Sequence, residues 1–550
     1  MTARWFGGAW LALSAAAFWT AGHLHDGLIG RRRAAGLHPG DPVEAVPPLV
    51  AFTSVALGGF RGLAVDLLWS RASELQDQGR YFELVQLADW VTKLQPRFAS
   101  IWAFHAWNLA YNVSVMVSDP AERWRWVRHG LRLLRDEGLR YNPGSALLHR
   151  ELAWMFHHKL GMDMDQAHWH YKKAWAEEMT RVLGGGRPEP ELDVLAAMPV
   201  SEEDLTRDPA VAALLSEVRA AGFEPWDRRF AAAALPAALR GRWEDTEEGR
   251  KLEAFRRARR LREEYRLDPR AMLDLERRLG ARFDWRLPYA HAVYWASAGL
   301  PHARTRFEDI SLRRQIFQSL ISAFLRGRLA WDPARDLFVM SPDPDLLAAA
   351  RGAFDEALAR HAGDPTVEQA HRNFLVDAIM VCALRQRREM ARELFEEYRR
   401  RYEPAAAADL EVFVARTWAG RAGDLDTPEA MAAVEAAFYQ AAFWRLLGDE
   451  ASADGHEAVG RLCWERYMAG RRDPDLRVRT GLPPVEEIRR RAEARAREDL
   501  DRRRGSGETP AGALLRSCIG RSVCLRESQW PLNHNPRRGQ QGRRNGRQQS

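Results

Sequence analysis

The chain has 550 residues, 46% hydrophobic and 29% charged; that length exceeds one ordinary core, and the composition excludes a disordered polymer. Its net charge of +7 resides in the last fifty residues, where 11 Arg face 3 acids and leave residues 1–500 at −1; no nucleic-acid footprint is expected in the body. Four cysteines (Cys382, Cys463, Cys518 and Cys524) are too few for a disulfide framework, and none forms a CxxC pair.

In chain order, the first element is Trp5–Gly22, "WFGGAWLALSAAAFWTAG", eighteen residues without a charge directly after Arg4. It predicts a single membrane anchor. The rival is a cleaved signal peptide, whose one passable site, Thr20-Ala21-Gly22, sits beside bulky Phe18 and Trp19. Arg4 precedes the run and Arg31, Arg32 and Arg33 follow it, so charge does not fix the orientation. A second apolar run, Pro47–Phe60, is broken by paired glycines and suits a buried or membrane-surface segment.

From residue 61 to about 504, Ala, Leu, Arg and Glu dominate and strand signals are nearly absent. Helices are predicted at 61–77, 81–94, 98–112, 121–140, 145–160 and 165–182. After the break "GGGRPEP" come others near 208–221, 227–240, 248–264, 270–279 and 287–298. A last group covers 308–328, 343–361, 366–385, 387–402, 406–420, 428–447, 451–469 and 484–504. The blocks are an anchor and linker (1–45), helical repeats (46–183), a Gly/Pro-rich break with a helical middle (184–300), further helical repeats (301–504) and a disordered basic tail (505–550).

Helix 98–112 carries two apolar stripes: Phe98, Trp102, His105 and Leu109, then Ile101, Phe104, Trp107 and Tyr111. A helix sandwiched between two neighbours needs two such faces, so both are expected to be stacking surfaces. The tetratricopeptide pattern, with small residues where helices cross, falls on Leu68, Arg71, Ala72, Leu75, Leu84, Ala88 and Pro96. Its second-helix fragment returns at Ala350/Phe354 and Ala391/Phe395. The fold class expected is all-α: a degenerate tetratricopeptide-like α-solenoid of antiparallel helix hairpins with an N-terminal transmembrane anchor.

The stretch "ALGGFRGLAVDLLWSRASELQDQGRYFELVQLADWVTKLQPRF", Ala56 to Phe98, resembles bacterial membrane-anchored tetratricopeptide-repeat proteins. The resemblance implies an envelope-associated scaffold on the inner membrane with a periplasmic body, and carries no catalytic residue.

The candidate partner-binding residues are Arg61, Asp66, Trp69 and Tyr81; neither Arg61 nor Arg71 has the spacing of a helical ion pair with Asp66, so partners elsewhere are expected. The densest chemical cluster is His149–Trp175, with His157, His158, Asp163, Asp165, His168 and His170. On an α-helix each adjacent histidine pair diverges, so interhelical or surface histidines are expected there and no metal site. No phosphate-binding Gly loop, GxSxG elbow, zinc spacing or Cys/His nucleophile motif occurs. No enzyme activity and no cofactor are expected. The leading reading is a scaffold that binds a protein or peptide of the cell envelope. Its alternatives are an α/α-toroid that binds or cleaves glycans, suggested by the 21 Trp, and a structural subunit of a membrane complex.

Overall fold

The computed structural model describes Thr20, Arg31 and residues 60–184, 191–332, 337–360, 362–404, 409–418, 427–471 and 480–503. The predicted anchor (apart from Thr20), most of the Pro47–Phe60 run and the basic tail lie outside the described residues. Among the described residues no helix is long and apolar enough to cross a membrane. The chain divides into two compact units, Met1–Ile101 and Trp102–Ser550.

The first unit is a helix hairpin, α1 (Phe60–Asp77) and α2 (Tyr81–Leu94). α2 buries Leu84, Leu87, Ala88 and Val91, a helical stripe, and α1 contributes buried Ala72 and Leu75. Leu68, Trp69 and Leu94 pack around Val91 and Ile101. The helices are joined through Gly79, at φ +70, with the Arg80 N–H donating to the Leu75 carbonyl at 2.9 Å. This is a Schellman closure, which favours glycine in the left-handed position.

In the second unit three successive helices each widen into a π turn. α3 (Ala99–Trp107), which begins before the division, runs on through Asn108–Val113; α4 (Pro120–Arg132) through Leu133–Gly138; and α5 (Ala146–Trp154) through Met155–Gly161. Glycines let these segments approach their neighbours. A Cβ on Gly130 would lie 2.7 Å from the Ala106 carbonyl oxygen, and one on Gly161 2.7 Å from the Tyr289 ring. α6 (His168–Leu183) completes this group. Trp124, Val127, Leu131 and Leu134, spaced three, four and three apart, are buried as a set.

The middle holds α7 (Glu191–Ala197), α8 (Glu202–Leu205), α9 (Pro209–Ala220), α10 (Ala237–Asp245), α11 (Glu247–Glu264), α12 (Pro269–Leu279) and α13 (Pro288–Gly299). The helix expected at 227–240 is absent. Residues 226–230 form turns, Ala232–Ala234 a 3-10 turn, and a helix starts only at Ala237. Pro225 and Pro236 bracket that segment, removing donors and disfavouring helix before each ring. α13 buries Tyr289, His291, Val293, Trp295 and Ala296, so it is covered on all sides.

α14 (Arg306–Arg326) opens on a Thr305/Glu308 capping box. The chain then forms β1 (Arg328–Asp332) and β2 (Leu337–Ser341), antiparallel, with Arg328 opposite Ser341. This corrects the expectation of helices and loops alone. Two five-residue strands carry too little alternation to register as a signal, and a lone hairpin needs outside support. The Arg286 guanidinium bonds the Leu329 carbonyl at 3.3 Å, and Arg385 bonds Ser341 Oγ at 3.0 Å. The fold class is otherwise all-α. It finishes with α15 (Leu347–Arg360), α16 (Pro365–Leu384), α17 (Arg388–Tyr402), α18 (Leu410–Trp418), α19 (Thr427–Leu446), α20 (Glu450–Ala469) and α21 (Val485–Arg503).

Two further hairpins repeat the connector of the first. Between α16 and α17, Gln386 has φ +57; between α19 and α20, Gly448 has φ +77. The next N–H closes back in each, Arg387 to the Cys382 carbonyl at 2.8 Å and Asp449 to the Trp444 carbonyl at 3.0 Å. Arg80 and Arg387 have nearly the same backbone, φ −84, ψ 61 and φ −85, ψ 61. Five residues after each left-handed residue comes Leu84, Ala391 or Ala453, each 0% exposed. The fragments Ala350/Phe354 and Ala391/Phe395 are buried as well.

Candidate functional site

Three of the four residues nominated from sequence have described side chains. Asp66 is exposed, whereas Trp69 is half-buried against the Val91–Ile101 core and Tyr81 is half-buried at the first position of α2. Arg61 lies in α1, but its side chain is not among those described. Arg71, expected to need a distant partner, pairs with Glu74 at 2.5 Å on its own helix.

Beside its exposed charged residues this hairpin and the segment after it also expose large apolar ones. Leu67 is 74% exposed, Phe82 51%, Trp90 50% and Phe98 45%. With about 100° per residue, Phe82 falls opposite the buried stripe of α2 and Trp90 on the flank of that stripe, next to Leu87. Phe98 and Trp107 also correct the expectation that both aromatic stripes of helix 98–112 stack. Trp102, His105 and Leu109 of the first are buried with Ile101 of the second, but Phe98 and Trp107 face solvent. Elsewhere Trp124, Trp175, Trp243, Trp285, Trp295, Trp418 and Trp444 are buried, and the described tryptophans other than these, Trp90, Trp102 and Trp107 are half-buried. Sequence reasoning passed over Phe82 and Trp90 because apolar residues in a helical run read as core. Their signal was their position, Phe82 opposite Leu84, Leu87 and Val91 and Trp90 at the edge of that stripe.

The His149–Trp175 segment builds a buried polar network instead of a metal centre. The π turn Met155–Gly161 changes the angular spacing assumed for its histidines. His157 turns inward to Ser319 Oγ at 3.1 Å; His158 stacks on Trp154 with centroids 4.6 Å apart and meets the Tyr111 hydroxyl at 3.3 Å. Burial holds His157 down to about 3 and His158 to about 4, so both are neutral at neutral pH. Asp165 accepts from Lys159 Nζ at 2.6 Å, Tyr171 OH at 3.1 Å, the Ala167 N–H at 2.8 Å and Arg123 at 3.1 Å. Burial pushes its carboxyl up, but these donors outweigh burial and hold it below the usual range.

Lys172 is fully buried, and burial pulls it down to about 8. A buried lysine near neutrality is a candidate nucleophile. Here, however, Nζ donates to the Met162 carbonyl at 3.1 Å, Asp163 at 2.9 Å and His168 Nδ1 at 2.8 Å. All three N–H bonds are spent, which suits an ammonium that ties α6 to the preceding loop. Among the described residues no three His, Cys, Asp or Glu side chains could hold a metal ion. Cys382 and Cys463 are buried, and burial pushes their thiols up to about 11 and about 12.

No family model matches the chain, and comparisons with curated proteins and with solved structures give no match.

Proposed function

We propose that the protein is an envelope-anchored interaction scaffold, built of tetratricopeptide-like hairpins, that captures a protein or peptide on the apolar outer face of its N-terminal hairpin. The observation that carries this reading is the half-exposure of Phe82 and Trp90 on a helix whose inner stripe is already filled. Large aromatics exposed in this way are typical anchors of protein interfaces. The recurring left-handed connector, with a buried Leu or Ala five residues on, supports a repeat of one hairpin unit. The uncharged run Trp5–Gly22 supports the anchor. Only Trp90 and Trp107 of the 17 described tryptophans are exposed, which favours interaction over glycan stacking.

The test is photo-crosslinking in intact cells from a reactive residue at position 82 or 90, with exposed Glu411 as the control position. A discrete adduct is expected from 82 and 90 and not from 411, recovered with carbonate-resistant membranes. Trp90→Ala should weaken the complex by about 2 kcal/mol and reduce the adduct formed at 82. An identical adduct pattern at all three positions, or none at 82 and 90, would sink the proposal.

A further inference from the structure

The second unit contains a cleft of ≈ 400 Å³ lined by Arg135, Arg140, Arg266, Asp136, His149 and Trp295 among others. Its charges do not cancel. Asp136 is held by Arg135 through two bonds of 2.8 and 2.9 Å, and Arg135 also lies over the Tyr265 ring at 5.4 Å. That pair is the wall of the cleft. Arg266 comes no nearer to Asp136 than 3.9 Å. Arg140 is exposed, touches the Tyr141 ring and has no carboxylate partner among the described residues. Three guanidiniums therefore share one carboxylate, Arg266 through a long ion pair only, and the lining carries two net positive charges beside buried, apolar Trp295 and Leu139.

An independent observation marks Arg266. It follows the end of α11 at φ +53, a conformation that the described residues otherwise give to Gly79, Gly184, Gly222, Gly280, Gly363, Gly448 and Gln386. An L side chain holds this conformation at a cost, and strain of this kind gathers at ligand sites. A glycine would close the helix more easily, but would remove a guanidinium from the cleft.

We infer that this cleft binds a phosphate dianion, free or as a monoester headgroup. The two net charges match the dianion, the planar forks of Arg140 and Arg266 suit its oxygens, and Trp295 and Leu139 offer an apolar floor to an attached organic group. This site is separate from the hairpin face above and does not depend on it.

The test is calorimetric titration of the full-length, detergent-solubilised protein with inorganic phosphate, and with succinate as a dicarboxylate control. Flotation with vesicles containing phosphatidic acid or phosphatidylglycerol identifies the source. Saturable phosphate binding that weakens as salt rises is expected, reduced about ten-fold by Arg140→Ala or by Arg266→Gly. Arg266→Gly should also raise the Tm measured without ligand, because the left-handed strain is relieved, so its loss of binding cannot come from misfolding. Flotation with phosphatidic acid alone, abolished by Arg140→Ala, would assign the headgroup; phosphate binding without flotation would assign a soluble ligand. Absence of saturable binding, succinate binding as tightly as phosphate, or equal binding by both variants and the parent would overturn the inference.

Discussion

Asp165→Ala is expected to destabilise the second unit by about 3–5 kcal/mol, read by chemical denaturation of the full-length protein. The side chains of Asp165 and Lys159 are 4% and 5% exposed, so the substitution leaves an ammonium buried without its carboxylate. It also strands the Tyr171 hydroxyl, the Ala167 N–H and one Arg123 contact. Lys159 retains the Tyr111 and Tyr171 ring faces, at 5.1 and 5.8 Å, which offset a small part of the loss. Removing both charges in Lys159→Met/Asp165→Leu should cost less than Asp165→Ala, since a buried pair exchanged for apolar groups loses attraction and desolvation penalty together. The sign with pH follows from the depressed carboxyl. Its stabilisation is fully present above the unfolded value of about 4 and is lost as pH falls through the folded value. The deficit of Asp165→Ala should therefore shrink in acid.

Gly455→Ala should destabilise by about 2–3 kcal/mol, although helix propensity alone predicts a gain of roughly 1 kcal/mol. Gly455 lies within α20, where a Cβ would overlap the Leu384 carbonyl and stand 2.9 Å from Leu384 Cα. Leu384 ends α16, so both helices would have to shift. The control is Gly352→Ala in α15, where nothing lies within 4 Å of an added Cβ. There propensity acts unopposed, and a gain of roughly 1 kcal/mol is expected. Opposite signs for one substitution in two helices of the same unit would show that backbone approach, and not chain stiffness, selects Gly455.

Much of the helical plan was legible because burial follows periodicity. Trp124, Val127, Leu131 and Leu134 form one stripe in the sequence and one buried row in the fold. Ala350/Phe354 and Ala391/Phe395 pointed to the right helix positions for a similar reason. What was not legible depends on tertiary context. The three π turns carry no local signature, so the partners of His157 and His158, Ser319 and Tyr111, were not legible, although the two histidines turn to different neighbours as expected. The strands at 328–332 and 337–341 are too short to announce themselves. The connector at Gln386 was hidden because its residue is not glycine. Of the site residues, Asp66, Trp69 and Tyr81 lie in the hairpin now proposed to bind. The more exposed Phe82 and Trp90 were concealed by an apolar stretch in which burial was the default reading.

The repeat that underlies the scaffold reading rests on one claim: three hairpins, 60–94, 365–402 and 427–469, close through the same left-handed connector. The unfolding free energies of Gly79→Ala, Gln386→Gly and Gly448→Ala test it most directly. Gly79 and Gly448 have nothing within 4 Å of an added Cβ, so backbone strain less the lost freedom of the unfolded chain should act there and cost about 0.5–1 kcal/mol in each variant. Gln386→Gly should instead gain about 0.5–1 kcal/mol, the relieved strain less the added freedom of the unfolded chain. A loss at Gln386, or no loss at either glycine, would contradict a shared connector and with it the repeat.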